Sequence, residues 1–390
     1  MKRYILISVV VVLGVGLFVL GYFLRKEKTP VITDNGNLNP PLNATSTPIV
    51  TPGKNSKLKL ESLGFGVRGY FADKDGGLVI VQPSGHIISI KDGKNILISE
   101  TNVAEVFHTS FSYDGKKILV GFGGWNSPQF SVFDTEKKSW QPLVAGVAAA
   151  AWNPTDLRVV YALKKTGYTS LSTLDFGVSK LVAKEISRVH VEDLDFTWFG
   201  KDEIIFWNKG NSQVPASVWK LNVVSKKLTS LFLNKDSFGL IVDDKGENIL
   251  ASFDKTGSFS LSFFGKQGEF LKELAVKTLP EKCDFDVEEE TIKTTSTKAK
   301  DKVIQKTYLY CSAPKNFDVI TGKLLIEDYA KKQVFSLDNF FKFNVPSGAF
   351  VSVYEGGESL DASETQVAGK KLYFINRYDD KLYSISLEGK

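Results

Sequence analysis

The sequence predicts an all-β chain closed into a β-propeller, with seven blades as the best count. Three observations carry this. A tight turn followed by a β-branched or aromatic run recurs about every 40–45 residues. Further strands follow each recurrence in the same order. After position 57 no long amphipathic helical pattern interrupts them.

The recurring turns read ADKDGGLVIV at 72–81, SYDGKKILVGF at 112–122, NPTDLRVVYAL at 153–163, WFGKDEIIFWN at 198–208, DDKGENILASF at 243–253 and VAGKKLYFIN at 367–376. Their Asp-Gly and Gly-Lys pairs supply the positive φ that a hairpin turn needs. The runs after them are apolar at successive positions, as expected for strands covered on both faces. One such sheet cannot bury both faces alone, whereas a ring of them can. Phasing the turns gives blades at 63–100, 101–144, 145–186, 187–234, 235–279, 280–356 and 357–390. Six or eight blades remain open, because the ends phase poorly. The last blade shows three strands, and KLKLES at 57–62 is the candidate fourth, which would close the ring and remove an edge.

Composition bounds the function. The chain has 390 residues and a net charge of +5, but the first 28 residues hold five Lys/Arg and one acid. The remaining 362 carry 44 bases and 43 acids, so the globular part is close to neutral and offers no basic footprint for nucleic acid.

Tyr4–Leu24 is 21 residues without a charge, about 31 Å as a helix, the thickness of a bilayer's hydrocarbon core. Lys2, Arg3, Arg25 and Lys26 bracket it. The apolar run is too long for a signal peptide and no Ala-x-Ala site follows, so residues 1–28 read as a single-pass anchor. Residues 29–56, rich in Pro, Thr and Asn, read as a disordered linker, and residues 57–390 as the propeller. A short N-terminus, one anchor, a spacer and a large domain fit a cytoplasmic N-terminus and an extracytoplasmic propeller at the cell membrane, although the balanced flanking charge does not itself decide orientation.

The sixth unit departs from the rest. Its first hairpin is stretched by EEETIKTTSTKAKDKVIQ (288–305), and KNFDVITGKLLIEDYAKKQVFS (315–336) reads as an insertion protruding from the ring. The only cysteines, Cys283 and Cys311, belong to this unit. With the turn near Thr297–Lys298 they face each other on adjacent antiparallel strands, compatible with a disulfide, which an oxidising compartment would favour. Two buried free thiols are the alternative.

Catalytic signatures are missing. His86, His108 and His190 fall in different blades without metal-ligand spacing, and no Gly-x-Ser-x-Gly elbow occurs. GFGGWN (121–126) lies between strands rather than before a helix, so it is no phosphate cradle. No cofactor or metal is expected. The candidate ligand or partner rim consists of residues in loops between second and third strands: Trp125, Asn126, Tyr168, Asn208, Lys209, Asn211 and Gln213. An aromatic among amides suits a sugar or a peptide. The bland alternative is that Trp125 caps its loop, while Trp152, Trp198, Trp207 and Trp219 read as blade packing.

The FSYDGKKILV unit (111–120) resembles the repeat of TolB-type and dipeptidyl-peptidase-IV N-terminal-like propellers, where a Ser/Asp-Gly-Lys turn opens each blade. EKCDF, YLYCSAPKNF, FSLDNFFKFNV and the closing GESLDAS…KKLYFINRYDDKLYSISL are similar to membrane-anchored propellers of reduced-genome candidate-phylum bacteria. That likeness implies an anchor plus an extracytoplasmic propeller, and it transfers no active site. The peptidase likeness stops at the propeller, since the hydrolase domain is lacking. The expected function is therefore a non-enzymatic, membrane-tethered scaffold or protein-binding module of the cell envelope. A propeller binding envelope polysaccharide or wall glycan is the alternative, and a propeller hydrolase or lyase the third reading.

Overall fold

The repeating runs become strands buried from both sides. In the second blade Ile118 and Val120 join the apolar cluster facing the first blade, while Leu119 between them joins the cluster facing the third. Ile204 and Phe206 face the third blade and Ile205 the fifth. This period-two division explains why the runs are apolar at every position.

The computed structural model describes residues 59–388 apart from 104, 125–126, 192, 210–213, 237, 256–257, 293–301, 316–325, 346 and 356–358. They form seven four-stranded antiparallel sheets. The inner strands of consecutive sheets touch in order around an axis, and that of the seventh returns to the first. The seven buried clusters coincide with the seven seams between blades. The observed blades follow the expected boundaries, and the count is seven.

Closure uses the chain's first described strand. Leu60–Gly66 pairs antiparallel with Lys381–Ser386 as the outer strand of the seventh blade, with Leu60 opposite Ile385 and Gly66 opposite Lys381. The closing strand therefore begins three residues later than the 57–62 reading and is bulged between Ser62 and Gly66. Tyr4–Leu24 and the linker lie outside the described residues. Among the described residues no helix is long and apolar enough to cross a membrane.

Register also sorts the connections by face. Turns between first and second strands, and between third and fourth, lie on one face, here called lower. Connections between second and third strands, and from one blade to the next, lie on the upper face. Leu60 sits level with Ala368, Lys371 and Ser386, at the lower face.

The sixth blade carries the expected elaborations. Its inner hairpin pairs Cys283–Ile292 with Lys302–Pro314, and Cys283 stands opposite Cys311. The two form a disulfide, inside the seam with the fifth blade. The described part of the insertion does not protrude as expected. A short helix, Ile326–Ala330, and the extended segment after it lie down against the seventh blade.

Candidate functional site

The insertion is held by charges buried where the sixth and seventh blades meet at the upper face. Lys282, in the turn Pro280–Lys282 before the sixth blade's inner strand, is 2% exposed. Its ammonium lies 2.7 Å from Asp338 and 2.8 Å from Asp361, both fully buried. Arg377 donates to Asp361 Oδ2 at 2.6 Å and also to the carbonyls of Tyr329 and Val334 in the insertion. The Tyr329 hydroxyl donates to Asp361 Oδ1 at 3.1 Å, and the Ser336 hydroxyl donates to the same oxygen at 3.0 Å. Asp338 Oδ2 also accepts from the Ala362 N–H at 2.9 Å.

Burial alone would strip Lys282 of its proton and give one to Asp361. The opposite charges outweigh burial at both: Lys282 is held above the usual lysine range, mainly by Asp338, and Asp361 below the usual carboxylate range, mainly by Lys282. Burial pushes the Tyr329 phenol up, so it remains a donor.

Above this network the insertion runs as a strap. Lys331, Gln333, Phe335 and Leu337 point outward, while Val334, Ser336 and Asp338 turn in. Phe335 and Tyr378 stack at 4.9 Å between ring centroids and 20° between planes, and both remain substantially exposed beside Leu337. The Arg377 guanidinium lies 3.4 Å from the Tyr329 ring centroid and 5.2 Å from that of Phe335. Lys332 pairs with Asp380, and the Tyr378 hydroxyl donates to the Ser336 carbonyl. The outcome is an aromatic patch on a rigid base.

Of the seven rim candidates, Trp125, Asn126, Asn211 and Gln213 lie outside the described residues. The other three stand on the upper face of the third and fourth blades, but they do not form a free set. Tyr168 has the Arg188 guanidinium 5.2 Å over its ring. Asn208 spends its amide within its own loop, donating to the Pro215 carbonyl at 3.0 Å and accepting from the Ser217 N–H at 2.7 Å. Lys209 lies 3.5 Å from Asp195. Trp152 and Trp198 are core residues as expected, and Trp207 and Trp219 pack partly buried against their clusters.

The buried network escaped the sequence reading although it left a trace there. Asp338 and Asp361 both end a Ser-Leu-Asp triplet directly before a strand, and the two converge on one lysine.

A second polar region lies along the axis. Asp284, on the inner strand of the sixth blade, accepts from the Val367 N–H of the seventh at 2.8 Å. Burial, reinforced by Asp244 and Asp286, pushes its carboxyl up to about 8. Glu364 is raised by its surroundings and by Glu281, although its side chain still meets channel water.

No protein-family model matches the chain, and no curated protein sequence matches it. Solved structures do. A prolyl endopeptidase matches with a TM-score of 0.53 at 11% identity, over 85% of this chain and 49% of its own. The β-propeller domain of the Trilobed protease from Pyrococcus furiosus matches with a TM-score of 0.49 at 14% identity, over 80% of this chain and 92% of its own. TolB from Acinetobacter baumannii matches with a TM-score of 0.41 at 10% identity, over 82% of this chain and 65% of its own. The chain thus spans about half of the prolyl endopeptidase and just under two thirds of TolB. At such identities the likeness is one of fold: this chain is a seven-bladed β-propeller similar to those of TolB and the prolyl-peptidase type.

Proposed function

We propose that the chain is a non-enzymatic, membrane-tethered, extracytoplasmic propeller that binds a protein partner and serves as a scaffold in the cell envelope. The observation that carries the reading is the patch of Phe335, Leu337 and Tyr378 on the latched strap. Burying Lys282, Arg377, Asp338 and Asp361 costs several kcal/mol of desolvation per ion unless each is paired. Here that pairing fixes exposed aromatics in place, and rigid aromatics bind with little loss of conformational entropy. Anchors of this type dominate protein–protein contacts.

The patch lies on the upper face, and the chain enters the ring at the lower face. With Tyr4–Leu24 in the bilayer, a spacer of 28 residues spans roughly 30 Å as a flexible coil, enough to hold the upper face outward. The Cys283–Cys311 disulfide suits an oxidising compartment.

The test is cross-linked affinity capture of the tagged full-length chain from its own membranes, comparing the natural sequence with Phe335→Ser/Tyr378→Ser. A stoichiometric protein lost in the variant supports the reading. Capture of glycan without protein moves the function to polysaccharide binding, and turnover of an envelope substrate by the purified chain ends the non-enzymatic reading.

A further inference from the structure

The inner strands of the third to sixth blades enclose a cavity of about 280 Å³ on the axis. Its lining is apolar on one side, through Leu240, Ile241 and Val242, and carries two carboxylates, Asp244 and Asp284, with no lysine or arginine among the lining side chains. Trp152 also lines it, is only 6% exposed, and its Nε1 has no hydrogen-bond partner among the described residues. A buried donor left unpaired costs about 1–3 kcal/mol, and the neighbouring carboxylates lack a counter-charge. Both needs point to one occupant carrying a positive charge and an acceptor oxygen.

A metal ion does not meet them. Hard cations take about six or more oxygens, and among the described residues no group of three or more acidic, histidine or cysteine side chains is placed to hold one. The volume is near the lower end for small-molecule sites.

We propose that the axial cavity binds a small hydroxylated primary ammonium of amino-sugar size. Its ammonium would sit on Asp244 and Asp284, and a hydroxyl oxygen would accept from Trp152 Nε1. This site is separate from the strap patch and does not rest on the scaffold reading. Because Asp284 holds its proton up to about pH 8, the ammonium docks with transfer of that proton to the buffer, leaving a carboxylate against the cation.

The probe is glucosamine, titrated calorimetrically into the full chain in detergent at about pH 6.5, where Asp284 is protonated and the amine charged. Glucose and N-acetylglucosamine serve as neutral counterparts. Glucosamine should bind at least about tenfold more tightly than either, and Asp244→Asn/Asp284→Asn should lower its affinity about tenfold or more. Titration in buffers of different protonation enthalpy should show a proton released by the natural chain and none by Asp284→Asn. The amide oxygen introduced by Asp284→Asn keeps an acceptor for the Val367 N–H. Should that variant still fail to fold, Asp244→Asn alone, on an exposed turn, gives the same reading. Equal binding of the neutral sugars, unchanged affinity in the variants, or no binding at about 10 mM glucosamine overturns the proposal.

Discussion

Lys282 Nζ stands 2.8 Å from Asp361 Oδ1 across the seam between the sixth and seventh blades, with both side chains withdrawn from water. Asp361→Ala strands Lys282 and Arg377, so it should destabilise the fold by about 3–5 kcal/mol, read by denaturant unfolding. Hydrogen exchange should rise first in residues 326–337, which lose their latch. Tyr329→Phe removes only one hydroxyl bond and should cost about 1 kcal/mol.

The network and the channel respond to pH in opposite senses. Asp361 is held below its unfolded value of 3.8, so the stability it contributes is present above that value and fades as pH falls through its folded value. Asp284 is raised from 3.8 to about 8, so its contribution is full below 3.8 and is lost as pH rises through about 8. Thermal melting at pH values from about 5 to 9 should show a falling Tm that Asp284→Asn flattens. An equal slope in the variant would assign the effect to other groups.

The disulfide joins residues 28 apart in sequence, and both cysteines are buried. Replacing both by alanine should cost about 2–4 kcal/mol in urea or guanidinium unfolding. Its burial also predicts that dithiothreitol leaves the folded chain oxidised and reduces it only once denaturant is added, as thiol labelling would report.

Two glycines separate backbone strain from seam packing. Gly246 has φ +71, and a Cβ there would meet the Phe199 carbonyl oxygen at 2.9 Å across the seam between the fourth and fifth blades. Gly76 has φ +87 with open space around it. Gly76→Ala should cost about 1 kcal/mol for the left-handed backbone. Gly246→Ala should cost clearly more, because the seam must part, and comparing the two melting curves checks it.

The turns, the alternating runs and the cysteine pair were legible because each is a local signal. An Asp-Gly turn before a β-branched run means the same in any context, and Cys283 and Cys311 align once their hairpin is recognised. The strap was not legible. Lysine is rarely fully buried, so nothing in PEKCDF marks Lys282 as the centre of a network. Its partners follow 56 and 79 residues later, in triplets that resemble ordinary strand starts. Tyr168 and Asn208 failed for the converse reason: their types suit a ligand, but Arg188 and a neighbouring backbone already occupy them.

The closing strand has a consequence for how the protein is made. Leu60 pairs with Ile385, so the first strand synthesised finds its partner only when nearly the whole chain has emerged. Closing so long a loop costs little more entropy than closing a shorter one, since the cost grows only with the logarithm of length, but it sets an order of events. Six blades are complete before the seventh has its third strand, and until then Leu60–Gly66 is an unpaired edge beside a growing ring. A ribosome stalled before Lys381 holds an open arc, and only a chain read through Ser386 can lock into a circle.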